Sequence, residues 1–274
     1  MFLEKHKEFI RRLLPGRMKR HRIRGGPLKG SFIYTSWHDY PAAIRGKAEP
    51  ALLDWFSRHA RPGETWLDVG AHYGYTALAL SRLVGNSGRV FAFEPVVGTA
   101  GCISQTRVLN SLTSLHVVPV ALSADTGLGV GRLSLIRGMA DSTIPQQGWR
   151  EPFLRCSFDR MWPTLAEGAS FVHGIKIDVQ GMEFDVLRGM RRTLVEYRPK
   201  LVIEFHEGVN RAQILELLQE CGYEGAGQPI DSAGHPGTLY LDNQSYAFSP
   251  APMLREQEPA YGYANAFTRM PFVA

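Results

Sequence analysis

A glycine turn between an apolar stretch and a helical stretch is the feature that most constrains the fold of this chain. Residues 67–76 read LDVGAHYGYT, in which Gly70 and Gly74 bracket the turn. Glycine lets the backbone approach a ligand where a side chain would block it, and amides at a helix N-terminus face that ligand. A second apolar stretch, residues 89–93, ends at Glu94, about the offset at which nucleotide-binding folds place a ribose-binding acid. The run therefore predicts a bound nucleoside.

The acid beside the turn narrows the kind of nucleoside. A pyrophosphate is bound by glycine amides and disfavours a neighbouring carboxylate. Asp68 stands directly before the turn, where it suits a cationic amino group instead. S-adenosylmethionine carries such a group together with a ribose, so the sequence favours a sulfonium donor over a nicotinamide dinucleotide.

Apolar and helical stretches alternate from residue 65 onward, which is typical of a doubly wound, mostly parallel, Rossmann-like α/β sheet. Ligands of such sheets bind beyond the carboxyl ends of the strands. One strand-end acid is commonly a helix cap, but four together indicate a polar ligand. These acids are Asp68, Glu94, Asp178 and Glu204. The predicted strands are residues 65–69, 89–93, 115–118, 171–177 and 200–205, and the predicted helices are residues 51–59, 75–84, 98–109, 182–195 and 210–220.

The N-terminal part of the chain is strongly basic. Residues 1–30 carry ten lysines and arginines against two glutamates, whereas the rest of the chain has a small excess of acids. Such a segment attracts nucleic acids, anionic membranes or phosphorylated substrates. It lacks the interleaved aromatic residues that single-stranded nucleic acids require, so a solvated helix over residues 2–14 is the favoured interpretation.

The composition predicts three parts in one soluble chain. Residues 1–48 form a basic extension with a first strand near 31–34, residues 49–225 form the core, and residues 226–274 form a C-terminal hairpin and aromatic tail. The three cysteines are far apart, and we find neither an apolar run of about 20 residues nor a secretory signal. We expect a cytoplasmic protein without a transmembrane segment, and the oligomeric state stays open.

Two glycine-rich segments are expected to complete the molecule. Residues 127–150 predict a loop or irregular hairpin over the rim of the sheet, where it borders an acceptor pocket or is merely a solvated connection. Asp141 and Ser142 are its candidate contacts. Residues 238–241 and 246–248 predict the closing hairpin.

Three motifs, in the order expected, resemble the FkbM family of S-adenosylmethionine-dependent methyltransferases. They are VGAHYG with FEP, IKIDVQGME, and PKLVIEFH. The resemblance covers about residues 44 to 210. It implies a class I methyltransferase fold, with a reversed final strand in a mostly parallel sheet. It also implies methyl transfer to a hydroxyl group of a sugar or natural-product small molecule.

The resemblance implies a donor site residue by residue. Asp68, Gly70 and Gly74 would line the methionine end of the donor, Glu94 would bind the ribose hydroxyls, and residues 121–123 would border the adenine. Residues 44–49 replace a Gly-x-Tyr-Glu motif, with Ala48 at the tyrosine position, and Gln180 stands where the family commonly has Glu. The complete predicted cofactor set is Glu49, Asp68, Gly70, His72, Tyr73, Gly74, Glu94, Pro95, Ala121, Leu122, Ser123 and Asp178.

Methyl transfer to a hydroxyl needs a proton acceptor unless deprotonation follows transfer. Our candidates are His206, Glu204, Asp178 and Glu183. His206 is the most convenient because its ordinary pKa lies near neutrality, and period two places it on the same strand face as Glu204. As alternatives, His206 is structural, Asp178 grips the donor's amino group, and Glu183 caps the helix that follows it.

Other functions remain open at this stage. Asp178, Glu204 and His206 also suit a divalent metal, as in catechol-type methyltransferases, but no short-spaced ligand motif supports one, and we predict no metal. A methyltransferase that docks RNA or another macromolecule through residues 1–30 is less favoured than one acting on a small-molecule or glycan hydroxyl. A non-catalytic nucleoside-binding module or a nicotinamide oxidoreductase is the remaining alternative.

Overall fold

The computed structural model describes residues 14–136, 139–141, 151–166, 171–231 and 240–252. The helices found there are α1 (Pro41–Arg45), α2 (Pro50–His59), α3 (Tyr75–Val84), α4 (Val97–Leu109), α5 (Phe158–Leu165), α6 (Glu183–Gly189), α7 (Arg191–Tyr197) and α8 (Arg211–Glu220). The strands are β1 (Lys19–Arg22), β2 (Phe32–Thr35), β3 (Thr65–Val69), β4 (Arg89–Phe93), β5 (Leu115–Val118), β6 (Ala121–Leu122), β7 (Gly129–Ile136), β8 (Met139–Asp141), β9 (Glu151–Cys156), β10 (Gly174–Ile177), β11 (Lys200–Phe205), β12 (Gln228–Pro229) and β13 (Gln244–Phe248).

The central sheet has the strand order β12-β13-β11-β10-β3-β4-β5 within the described residues. The pairs β11/β10, β10/β3, β3/β4 and β4/β5 are parallel. Strand β13 runs antiparallel to both of its neighbours. This confirms the mostly parallel, doubly wound sheet with a reversed final strand.

Alternation along each strand builds a hydrophobic core on both faces of the sheet. In β3, Leu67 and Val69 pack on one face, whereas Trp66 packs on the other. All five residues of β3 are buried. Helices therefore cover both faces, which is why these strands read as nearly continuous apolar runs. The arrangement brings the carboxyl ends of β3, β4, β10 and β11 to one edge.

The predicted elements from residue 50 to residue 220 are confirmed, with one helix divided. The expected helix over residues 182–195 is two helices, α6 and α7, which meet at Met190. A Cβ on Gly189 would collide with the carbonyl oxygen of Ser123, so the chain is closely packed where α6 ends. The hydrophobic pattern continues across this break, and sequence periodicity could not locate it.

The basic N-terminal segment forms a small hairpin that packs on the core. Strands β1 and β2 pair in antiparallel fashion, and Asn110, directly after α4, accepts a hydrogen bond from Phe32 N and donates one to Phe32 O. The predicted strand near residues 31–34 is therefore confirmed. The predicted helix over residues 2–14 lies almost wholly outside the described residues.

The C-terminal hairpin differs from the prediction. Residues 246–248 belong to β13, which lies between β11 and β12 and pairs with both. The expected partner, residues 238–241, is described only from residue 240, where no strand is assigned. The preference of β13 for β11 follows from packing, because Tyr246 and Phe248 join the same core cluster as Leu201 and Ile203. The division at residues 48 and 225 stays a prediction, as does the aromatic tail beyond residue 252.

The segment over the rim of the sheet contains β7, β8 and β9, which form a second sheet with β6. The expected irregular hairpin is thus a regular one where it is described. Asp141 ends β8, and Ser142 lies outside the described residues. A Cβ on Gly131 would collide with the ring of Phe153, its partner across the β7/β9 pair. That glycine leaves room for an aromatic ring at the mouth of the cavity described below.

Across the residues that the structure describes, no helix has both the length and the apolar character needed to cross a bilayer.

Candidate active site

A cavity of about 350 Å³ lies beyond the carboxyl ends of the central strands. Its size falls within the range typical of small-molecule sites. Among its described lining residues, Lys176 is the one lysine or arginine, and five acids accompany it. These acids are Asp39, Glu49, Glu94, Asp178 and Glu204. The lining therefore favours a ligand that carries positive charge.

The glycine turn forms the floor of this cavity. Gly70 has φ +78° and donates its N–H to the carbonyl oxygen of Phe93 at 3.0 Å. A Cβ at Gly70 would collide with the carbonyl oxygen of Asp178. Gly74, with φ +80°, precedes α3 and is packed against Ile103. The turn is thus closed by backbone contacts that only glycine permits.

Glu94 lies beside the turn with its carboxylate held from both sides. One oxygen accepts the N–H of His72 at 2.9 Å, and the other accepts the N–H of Val96 at 3.0 Å. Each oxygen keeps a lone pair for a further donor. Burial raises the pKa of Glu94 to about 7, against the lowering effect of these two backbone hydrogen bonds. The geometry suits a carboxylate that accepts two neighbouring hydroxyl groups.

Asp68 lies behind the cavity rather than in its lining. It is fully buried and accepts the hydroxyl of Thr76 at 2.6 Å, while its other oxygen lies 3.2 Å from Lys176 Nζ. Lys176 also lies 3.3 Å from Asp178 and donates to the carbonyl oxygen of Gly70 at 2.9 Å. Burial lowers the pKa of Lys176, but the two carboxylates outweigh it and keep the amine charged. Asp68 thus holds the lysine that braces the turn.

A second group of side chains meets where β10 and β11 end. His206 Nδ1 lies 2.7 Å from Glu183 Oε1, and its Nε2 lies 3.5 Å from both Asp178 Oδ1 and Glu204 Oε1. Gln180 Nε2 is 3.0 Å from His206 Nε2. Glu204 and Asp178 line the cavity, whereas His206 and Glu183 lie behind them. The prediction that His206 and Glu204 share a strand face agrees with this contact.

Burial and charge shift the acid–base properties of this group. Burial, Asp178 and Glu49 raise the pKa of Glu204 to about 7, while His206 and Lys176 oppose the rise. Burial lowers the pKa of His206, but the hydrogen bond that its ring makes to Glu183, together with the neighbouring carboxylates, raises it overall. Glu49, which has φ 44° directly before Pro50, has a raised pKa because of burial and Asp178. An acid that titrates near neutrality is suited to exchange a proton with a substrate.

The structure brings together most of the residues that the sequence singled out. Those in the cavity lining are Glu49, Gly70, His72, Glu94, Pro95, Ala121, Leu122, Asp178 and Glu204. Those outside the lining are Asp68, Tyr73, Gly74, Ser123, Glu183 and His206. Their roles in binding and catalysis stay predictions.

Sequence reasoning gave no role to several lining residues. Lys176 had a visible signal, because a lysine between two isoleucines in a doubly buried strand requires a buried partner. Met182 stands inside the IKIDVQGME motif but received no role of its own. Tyr40 and Phe153 line the cavity without any such signal, and because they come from distant parts of the chain, only the tertiary structure identifies them.

One cluster has the spacing that a cation would accept. Asp178, Glu204 and His206 offer oxygen and nitrogen atoms within 4.8 Å of one another. Lys176, 3.3 Å from Asp178, already supplies positive charge at this point. The prediction of no metal stays a prediction.

The sequence matches the methyltransferase FkbM domain over residues 68–224, which is more than half of the chain. A search of curated proteins finds no match. Among solved structures, an FkbM methyltransferase from Methylobacillus flagellatus is 16% identical, with 76% of this chain and 52% of that one covered and a TM-score of 0.46. Aeropyrum pernix fibrillarin with bound S-adenosyl-L-methionine is 15% identical, with 85% and 87% covered and a TM-score of 0.49. An S-adenosylmethionine-dependent O-methyltransferase from Thermotoga maritima is 14% identical, with 89% and 80% covered and a TM-score of 0.46.

The residues around the cavity fit the methyl donor of this family. Gly70, which is packed against the backbone of Asp178, lines the cavity, and the Glu94 carboxylate beside it is oriented by two backbone amides. Val120, Ala121 and Leu122 add an apolar edge on which an adenine can pack. The excess of acids suits a ligand with sulfonium and ammonium groups. The chain therefore belongs to the FkbM family of S-adenosylmethionine-dependent methyltransferases.

Proposed function

We propose that this enzyme methylates a hydroxyl group of a sugar or another small molecule, with Glu204 as the proton acceptor. The observation that carries the proposal is the position of Glu204, which lines the cavity and whose pKa burial raises to about 7. A carboxylate with this pKa is ionised about half the time at neutral pH and accepts a hydroxyl proton more readily than an ordinary one.

The donor half of the site is assigned by the chemistry of its residues. Glu94 accepts the two ribose hydroxyls, and Ala121 and Leu122 border the adenine. Glu49 and Asp178 face the amino group of the methionine end, because Asp68 is occupied by Lys176 and Thr76. This changes the contact expected from sequence, in which Asp68 itself held that amino group.

The acceptor half is assigned to the part of the cavity that Glu204 lines, and Phe153, which lines the same cavity, is the proposed aromatic contact. The ring of Phe153 offers an apolar face on which the C–H groups of a sugar can pack. A hydroxyl of that sugar donates to the Glu204 carboxylate, which orients an oxygen lone pair toward the donor. Only 19% of the Glu204 side chain is exposed, so this hydrogen bond is partly shielded from water and is therefore strengthened.

The donor supplies a methyl group on a positively charged sulfur. The acceptor oxygen attacks the methyl carbon in line with the carbon–sulfur bond and displaces the sulfur. The new bond joins that oxygen to the methyl carbon, and the electron pair of the broken carbon–sulfur bond stays on sulfur. The hydroxyl proton goes to Glu204. The sequence placed His206 first among the bases, but His206 lies behind Glu204 and Asp178, so we assign the direct transfer to the carboxylate.

The test is a methyl-transfer assay on the full chain with a panel of monosaccharides and glycosides, followed by mass spectrometry. We expect Glu204→Gln to lower kcat by about 10²- to 10⁴-fold while the Kd for S-adenosylmethionine, measured by calorimetry, stays within about twofold. Glu207→Gln is the matched control, since Glu207 is exposed on the same segment. Full activity of the Glu204 variant, or tighter binding of NAD than of S-adenosylmethionine, would contradict the proposal.

The alternative acceptor is a nucleic acid held by the basic hairpin. Lys19, Arg20 and Arg22 are exposed on β1. An RNA acceptor predicts that activity falls steeply with salt and is lost when β1 is neutralised by Lys19→Gln, Arg20→Gln and Arg22→Gln together. A small-molecule acceptor predicts little change in either experiment.

A further inference from the structure

The pair formed by His206 and Glu183 lies directly behind the proposed proton acceptor. Glu183 is fully buried, and its Oε1 lies 2.7 Å from His206 Nδ1. The same oxygen accepts the N–H of Gly181 at 3.1 Å. Its other oxygen has no hydrogen-bond partner among the described residues. A buried carboxylate in this condition is strongly disfavoured unless a cation lies beside it.

We propose that Glu183 is a positioning residue, which holds His206 as an imidazolium whose charge keeps Glu204 ionised for proton transfer. This inference rests on the proposed function of Glu204. It gives the two residues behind the cavity a role that neither a helix cap nor a structural histidine would have.

The geometry supports the direction of this effect. The Nδ1–H of His206 donates to Glu183, which fixes the ring so that Nε2 points toward the cavity acids. Nε2 then lies 3.5 Å from Glu204 Oε1 and 3.5 Å from Asp178 Oδ1. A positive charge at this distance stabilises both carboxylates in their ionised form.

Four charged groups around His206 come from three elements, α6, β10 and β11, and from the residue that follows β10. Glu183 belongs to α6, Glu204 to β11, and Asp178 follows β10, while Lys176 of β10 reaches Asp178 from the far side. Gln180 is the neutral contact at Nε2. Its Nε2 lies 3.0 Å from His206 Nε2, so the proposal requires the amide to be turned by 180°, with its oxygen accepting from the imidazolium. The three carboxylates favour the charged ring, and Lys176 opposes it from a greater distance.

The pH profile of kcat separates this arrangement from the alternative in which His206 is itself the base. kcat rises with pH as the base ionises, and this rising part of the profile, the acid limb, follows the pKa of the base. If Glu204 is the base, removing the charge of Glu183 neutralises His206, and the limb moves to higher pH. If His206 is the base, the same substitution lowers its pKa, and the limb moves to lower pH.

The experiment is the pH profile of kcat for the full-length enzyme and three variants. We expect Glu183→Gln to move the acid limb upward by about one pH unit, which lowers kcat about tenfold at pH 6. His206→Gln should move it in the same direction, and the double variant should move it no further, because the two residues act as one unit. Asp185→Asn is the matched control: it removes a charge from the first turn of the same helix and leaves the limb in place.

A downward shift, or no shift, in Glu183→Gln overturns the inference. So does an additive shift in the double variant. Dependence of kcat on added Mg²⁺, with loss in EDTA, also overturns it, because a metal would then supply the charge assigned to His206.

A nuclear magnetic resonance titration keeps the test independent of turnover and of the stability of any variant. In the wild-type protein we expect both ring nitrogens of His206 to be protonated at pH 7, and in Glu183→Gln we expect a neutral ring at that pH. A neutral ring in the wild type overturns the inference even if the methyltransferase assay succeeds. A charged ring in a protein without methyl transfer to any hydroxyl would instead mean that the proposed function fails.

Discussion

The two halves of the cavity are built in different ways. On the proposed donor side, backbone groups make most of the contacts: glycines form the turn, and two backbone N–H groups donate to Glu94. On the proposed acceptor side, the side chains of Glu183, Glu204 and His206 meet where β10 and β11 end, and their charges affect one another. A site built from backbone is encoded in a short stretch of sequence, whereas a site built from side chains is encoded only in the fold.

The largest effect is expected for Asp68→Asn, which tests whether Asp68 supports the proposed donor half from behind or contacts the donor directly. We expect Asp68→Asn to lower the free energy of unfolding by about 3 kcal/mol, because it removes one charge from a buried ion pair. Urea denaturation measures this change. A variant with unchanged stability but lost affinity for S-adenosylmethionine would return Asp68 to direct contact with the donor, and the two halves would then be less different.

A second effect probes the backbone turn directly. Gly70→Ala places a Cβ against the carbonyl oxygen of Asp178 in a residue with φ +78°. We expect the Kd for S-adenosylmethionine to rise by about 100-fold, measured by calorimetry. The control is Gly85→Ala, which has a similar φ of +67° but no atom within 4 Å of the new Cβ. Equal effects of the two variants would mean that backbone strain, not the close approach, explains the need for glycine.

Sequence reasoning succeeded where the determinants are local. The strand over residues 65–69, the glycine turn and Glu94 follow from short-range steric and hydrogen-bonding requirements, and the structure has them as expected. It could not place the break at Met190, because that break depends on how closely Gly189 packs against Ser123. It also paired residues 246–248 with their sequence neighbours, while the preference for β11 comes from shared core packing.

The same contrast appears among the site residues. Period two predicts that Glu204 and His206 share a face, and their side chains lie 3.5 Å apart although β11 ends at Phe205. Their relation to Glu183 needs the fold, because α6 must bring that carboxylate to the imidazole from 23 residues earlier in the chain. Phe153 had no signal at all, since its place at the cavity depends on the β7/β9 pairing.

A smaller effect concerns pH and donor affinity. Because burial raises the pKa of Glu94 to about 7, this side chain loses its charge between pH 8 and pH 6. The protonated form is a poorer acceptor for ribose hydroxyls, so the Kd for S-adenosylmethionine should rise about tenfold as the pH falls across this range. Calorimetry at several pH values measures this rise. In Glu94→Gln the Kd should be higher but nearly independent of pH. If the Kd of this variant still depends on pH, the titrating group is Glu49 or Glu204.

The smallest expected effect sharpens the acceptor half. Phe153→Ala should raise the KM for the sugar acceptor about fivefold, because it removes the apolar face on which the sugar packs. The Kd for S-adenosylmethionine should stay unchanged. Leu154→Ala is the control, since its side chain is the exposed neighbour on the same strand. A change in donor Kd alone would place Phe153 against the adenine instead.

Strand β13 occupies an interior position although it is the last strand described. Its two neighbours are β11, which carries Glu204, and β12. Until residue 248 has left the ribosome, the strand that carries the proposed proton acceptor has an open edge of unpaired backbone groups, and such edges recruit other chains. A polypeptide truncated before residue 244 should therefore aggregate rather than accumulate as a partly active enzyme. Assembly of the candidate site thus depends on a strand that lies about 40 residues after Glu204 in the chain.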